Sequence, residues 1–148
     1  MTSEFAQPTL RLTESQYATI VGHCYDDLPD EACGLLVGPL GGNGEPTGAV
    51  SEARPCRNVD ASAVTYTVDP RDMLGAMRAA EARGDEIIGV WHSHTHTDAY
   101  PSPTDVRQSV DPAWMYVIVS LRDQAPVLRA YRIRGEGIAE LAVTLERG

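Results

Sequence analysis

The chain has 148 residues, 43% of them hydrophobic, and its 21 acidic against 12 basic side chains give a formal net charge of -9. That size and apolar share fit a single domain, residues 1–148, with a core of its own. The acidic excess, spread along the chain, argues against nucleic acid or anionic membrane as the main partner.

No apolar run approaches the ~20 residues of a membrane helix. The opening MTSEFAQPTLRL has neither the basic end nor the apolar block of a signal peptide, so a cytoplasmic protein is expected. Cys24, Cys33 and Cys56 are odd in number and lack C-x-x-C spacing, and read as buried free thiols.

From the N-terminus, 13–27 reads as a helix, with Thr13 and Gln16 at capping-box spacing and Tyr17, Ile20, Val21, Cys24 and Leu28 on one face, stopped by Pro29. Residues 32–37 are nearly all apolar and closed by Gly38, as in a strand covered on both faces, which puts Glu31 where helix meets strand. Gly38 to Gly48, rich in turn formers and with almost nothing to bury, reads as a mobile loop within the domain.

Residues 49–56 and 64–68 look like strands. Asp69 as N-cap and Pro70 at the first helical position then open a helix that ends near Gly84, with Met73, Leu74, Met77 and Ala80 as its buried stripe. Residues 86–94, EIIGVWHSH, begin as a buried strand and turn polar, and 113–121, 127–133 and 138–145 continue the β pattern, with a hairpin turn at Gly135-Glu136-Gly137. This order predicts an α/β (α+β) fold with helices packed on a mixed β-sheet.

In a strand, alternate side chains share a face, so His92 and His94 point one way while Trp91 and Ser93 point the other. Two imidazoles can then share a metal, and Asp105 is the best candidate for the third ligand, because Ser102-Pro103-Thr104-Asp105 looks like a helix start that folds the carboxylate back over the strand end. Two nitrogens and one oxygen leave a fourth tetrahedral position for water, the pattern of a catalytic zinc site rather than a closed structural one.

Such a site needs a base, for which Glu31 is the candidate. Each part also has a plainer reading: His-x-His alone is a weak motif, Ser102-x-x-Asp105 is also a capping box, and Glu31 stands beside Asp26, Asp27 and Asp30 like an ordinary charged helix end. His96 continues the alternation and offers a three-histidine site, Cys33 shares a strand face with Glu31, and Tyr100 on the loop is a candidate substrate contact.

Taken together, Pro29-Asp30-Glu31-Ala32-Cys33-Gly34-Leu35-Leu36 and His92-x-His94, seven residues, Ser102-x-x-Asp105 resemble the JAMM (MPN+) metallopeptidase family over roughly residues 12–133. The resemblance implies a cytidine deaminase-like mixed sheet flanked by helices. It also implies one zinc per chain on His92, His94 and Asp105, Glu31 as general acid/base, and Ser102 hydrogen-bonding the oxyanion of the tetrahedral intermediate. Thr95 departs from the pattern, many members having proline after the second histidine.

The run His92 to Thr95 with Asp98 to Val106 looks most like the small bacterial Mec-like branch. That resemblance implies cleavage after the C-terminal Gly-Gly of a ubiquitin-like (β-grasp) sulfur carrier protein, with release of cysteine. The alternatives are an isopeptidase that frees a ubiquitin-like modifier from protein lysines and, in another class, a non-catalytic MPN scaffold module.

Overall fold

The computed structural model of the protein describes residues 7–109 and 111–148. Residues 1–6, half of the stretch read for a signal peptide, lie outside the described residues. In chain order the elements are β1 (Leu10–Thr13), α1 (Glu14–Asp26), β2 (Cys33–Gly38), β3 (Glu52–Cys56), α2 (Pro70–Arg83), β4 (Glu86–His94), α3 (Pro103–Gln108), β5 (Met115–Ser120), β6 (Val127–Arg134), β7 (Gly137–Leu141) and β8 (Val143–Glu146).

The main sheet runs β3-β2-β4-β5-β6-β7; only β4 and β5 pair in parallel, and α3 lies in the connection between them. A second, two-stranded sheet pairs β1 with β8. The expected mixed sheet flanked by helices is therefore present: Ile20, Val21 and Cys24 of α1 join one core with Leu36, Trp91 and Val117, while Ala76 of α2 joins another with Leu35, Val90 and Ile133.

Local chemistry explains the helix ends. Thr13 Oγ1 accepts the Gln16 N–H at 3.0 Å and Gln16 Oε1 accepts the Thr13 N–H at 2.9 Å, the reciprocal capping box that starts α1. Asp69 caps α2 ahead of Pro70, and Gly84 closes it at φ +75°, a conformation that only glycine adopts without a Cβ clash. Gly34 is required for a different reason: a Cβ there would lie 2.1 Å from the ring of fully buried Trp91.

Four expectations need correction. Residues 64–68 form no strand, only an isolated bridge from Val68 to Asn58, because the Asn58 amide takes the Thr65 carbonyl and the Thr67 N–H that a neighbouring strand would use. The expected 138–145 strand is two: the Ala142 carbonyl accepts the Leu10 N–H, and the chain leaves the main sheet to pair with β1, itself unforeseen.

The expected stripe of α2 is also rotated. Leu74 and Met77 are 47% and 54% exposed, while Ala76 and Ala80, whose small side chains let the helix approach the sheet, are buried beside partly buried Met73. Leu28, expected on the buried face of α1, lies beyond its C-cap Asp27 and is exposed. The loop after β2 is tied down by a Leu40–Pro46 bridge and by Glu45, which pairs with the buried Arg132 of β6.

Candidate metal centre

His92 and His94 stand at the C-terminal end of β4, 3% and 4% exposed, while Trp91 and Ser93 face the opposite layer. Beyond His94 the chain turns through 95–101 into α3, which returns Asp105 over the strand end. One ligand atom from each of His92, His94 and Asp105 lies within 4.8 Å of the others. The Nε2 atoms of His92 and His94 are 3.3 and 3.0 Å from Asp105 Oδ1 and Oδ2.

The two histidine–aspartate separations lie close to those between donors on one metal. Donors about 2.0–2.1 Å from a tetrahedral zinc are roughly 3.3 Å apart. His92 Nε2 is buried with no hydrogen-bond partner, a deficit that a cation between it and Asp105 would relieve. His94 Nδ1 lies 2.7 Å from the Asp98 carbonyl, so it carries the proton and leaves Nε2 as an electron-pair donor. His92 is stacked on Tyr66, ring centroids 4.4 Å apart, which holds its plane.

The electrostatics fit the same picture. Burial drives the His92 imidazole below its ordinary pKa, favouring the neutral, metal-binding form. Burial pulls His94 down as well, but its contacts with Asp105 and the Asp98 carbonyl outweigh that and raise it. Asp105 is desolvated, yet its close contacts with the His92 and His94 imidazoles and the bond from the Ser102 N–H hold its carboxyl far below the usual range, so it is ionised.

Ser102 realises the capping-box reading: its Oγ accepts the Asp105 N–H at 3.0 Å and Asp105 Oδ2 accepts the Ser102 N–H at 2.9 Å. Ser102 also lines the cleft, and a hydroxyl that accepts one bond still has a hydrogen to donate. Glu31 lines the same cleft, 6% exposed, and burial pushes its carboxyl up to about 8 against the pull of His94.

Sequence reasoning missed the supports of this site. Ser93 Oγ accepts the Ala32 N–H at 2.8 Å and the Ser93 N–H donates to the Ala32 carbonyl at 3.0 Å, extending the β2–β4 pairing to the residue beside Glu31. Asn58 is buried and fully bonded: Nδ2 donates to the Glu31 and Thr65 carbonyls, and Oδ1 accepts from the Asp60 and Thr67 N–H groups. Asn-Val-Asp was the only available hint, an Asx-type turn signal.

The other candidates fall away from the centre. Among the described residues, His96 is not in the metal-ligand group; it is exposed on the loop and lines the cleft rim. Cys33 packs with Leu35, Cys56 and Val90, its thiol pushed up by burial, and all three cysteines are free and buried. Tyr100 meets Tyr131 edge-on, away from the cleft. No described helix is long and apolar enough to cross a membrane.

A cluster of three candidate donors with a buried carboxylate beside it, carried at the end of a mixed sheet, fits a hydrolase of the metal-assisted class. Residues 13–134 match the family of prokaryotic homologs of the JAB domain, and the chain belongs to that family. It is 39% identical over 127 residues to the CysO-cysteine peptidase of Mycobacterium tuberculosis (strain H37Rv), covering 85% of this chain and 84% of that one. It is 33% identical over 121 residues to the desampylase of Haloferax volcanii, covering 81% of each. A solved structure from Desulfitobacterium hafniense superposes with a TM-score of 0.83 at 34% identity, covering 95% of this chain and 94% of that one. The JAMM-type hydrolase expected from the motif is borne out.

Proposed function

We propose that the protein is a zinc peptidase that hydrolyses the bond after the C-terminal Gly-Gly of a ubiquitin-like sulfur carrier protein and releases cysteine. The observation that carries the reading is the cluster of His92, His94 and Asp105 with the unpartnered His92 Nε2, of which His94 and Asp105 line one cleft with buried Glu31. The identity with the CysO-cysteine peptidase over most of both chains supports the substrate class.

Zinc held by His92, His94 and Asp105 would supply a Lewis acid and acidify the attacking water toward neutral pH. Glu31 takes the proton of that water as its oxygen attacks the glycine carbonyl carbon. A carboxyl held near the working pH by burial can both accept and return a proton. The Ser102 hydroxyl donates to the oxyanion that forms. Glu31 then delivers the proton to the departing cysteine nitrogen, and the C–N bond breaks.

A second reading keeps the same machinery with a protein lysine as leaving group; the identity with the desampylase favours it. Purified protein loaded with zinc is incubated with a β-grasp carrier ending Gly-Gly-Cys and with a Gly-Gly lysine isopeptide. Release of cysteine at the higher kcat/KM is expected. Cleavage of the isopeptide alone would replace the reading by the second, and cleavage of neither would overturn both.

A further inference from the structure

The cleft beside His94 and Asp105 is small, about 160 Å³, whereas hollows elsewhere on the described surface reach about 350 to 510 Å³. One side is made by the end of β4 and by Ser102 and Asp105, the other by Ala63 and Val64 of the segment between β3 and α2. That second side is irregular backbone, not a strand, so its position depends on individual bonds.

Those bonds are few. The Ser62 carbonyl accepts the Glu31 N–H at 2.8 Å, Asn58 holds Asp60 and Thr65, and the Thr95 hydroxyl donates to the Ala63 carbonyl at 3.2 Å. Thr95 directly follows the ligand His94 and is 7% exposed, so its bond ties the metal-bearing strand to the facing wall. Ala61, just before this contact, has φ +46°, a left-handed conformation that a residue with a Cβ keeps only where its surroundings enforce it. Val64, next to the tied carbonyl, is 76% exposed at the rim.

We propose that Thr95 is a specificity-determining residue: by fixing Ala63 across the cleft, its hydroxyl sets a width that admits glycine ahead of the cut bond and rejects a side chain there. This rests on the Gly-Gly peptidase reading above. A wall that cannot yield rejects an added methyl group; a wall released from its anchor shifts to accept it.

The test compares a β-grasp carrier ending Gly-Gly-Cys with the same carrier ending Gly-Ala-Cys, in zinc-loaded wild type, Thr95→Val and Thr95→Ser. Thr95→Val keeps the shape of the side chain and removes the hydroxyl; Thr95→Ser restores it. The kcat/KM preference for Gly-Gly is expected to fall at least about tenfold in Thr95→Val and to return in Thr95→Ser. Zinc content stays stoichiometric in all three, which separates an altered wall from a damaged metal site.

A wild-type preference that Thr95→Val leaves intact, while Gly-Gly-Cys is still cleaved, would overturn the role of Thr95 alone. Failure of wild type to cleave either adduct would overturn the peptidase reading and, with it, this proposal. Should Thr95→Val lose its fold, Thr95→Ala is read in the same way.

Discussion

The two sides of the cleft are built by different means. One side is regular: β4 places His92 and His94 by simple alternation, and α3, opened by the Ser102–Asp105 capping box, returns the carboxylate. The other, 57–69, is irregular, and the side chains of Asn58, Ser62 and Thr95 hold it through bonds to backbone groups. The difference teaches that the candidate metal ligands rest on secondary structure, whereas the candidate base and the facing wall of the cleft rest on bonds from a few side chains. Damage to one side should then spare the other.

The largest expected effect falls on the regular side. Asp105→Asn keeps an oxygen to cap α3 but removes the anionic ligand, so zinc content after dialysis should drop to near zero and hydrolysis should be lost, with circular dichroism unchanged. Retained stoichiometric zinc would show that Asp105 is not a ligand. Next comes Glu31→Gln, which leaves the three donors intact: zinc stays bound and kcat falls by about 10²–10⁴-fold. Turnover near wild type would remove Glu31 from the base role.

Asn58→Ala tests the irregular side. It leaves the buried Glu31 carbonyl and the part-buried Thr65 carbonyl without the Asn58 donor, which costs about 1–3 kcal/mol of stability in a denaturant titration. Turnover should fall while zinc content holds; loss of zinc instead would mean that the two sides are not separable.

The last expected effect bears on stability alone and is a pH dependence of the metal-free protein. Burial raises the Glu31 carboxyl from 4.5 to about 8, so the folded state binds this proton more tightly than the unfolded state does. Its stabilising contribution is complete below pH 4.5 and is lost as pH rises toward about 8. Thermal melts of chelator-treated wild type should therefore lose stability relative to Glu31→Gln across that window. His92, lowered by burial, acts with the opposite sign and is common to both proteins, so it cancels in the difference.

What could be read from sequence follows the same division. Residues 86–94 emerge as β4 with the expected bounds, and Asp69, Pro70 and Gly84 mark the ends of α2, because strand alternation, caps and glycine turns are local signals. The three metal-ligand candidates come together for that reason. The run Val64-Thr65-Tyr66-Thr67-Val68 has the composition of a strand and is not one, since a single buried asparagine outcompetes a neighbouring strand for its backbone. Tyr66 stacked on His92 and Ser93 bonded to Ala32 were equally hidden, being contacts between segments far apart in the chain. The break at Ala142 depends on β1, whose four residues give too short a pattern to read.

The central claim is that a metal held by His92, His94 and Asp105 drives hydrolysis at this cleft. It is tested most directly by stripping purified protein with a chelator, restoring zinc in measured steps, and following cysteine release from a carrier ending Gly-Gly-Cys at each step. Activity that vanishes on stripping and returns in proportion to zinc, levelling at one ion per chain, is the predicted result; activity indifferent to stripping would contradict it.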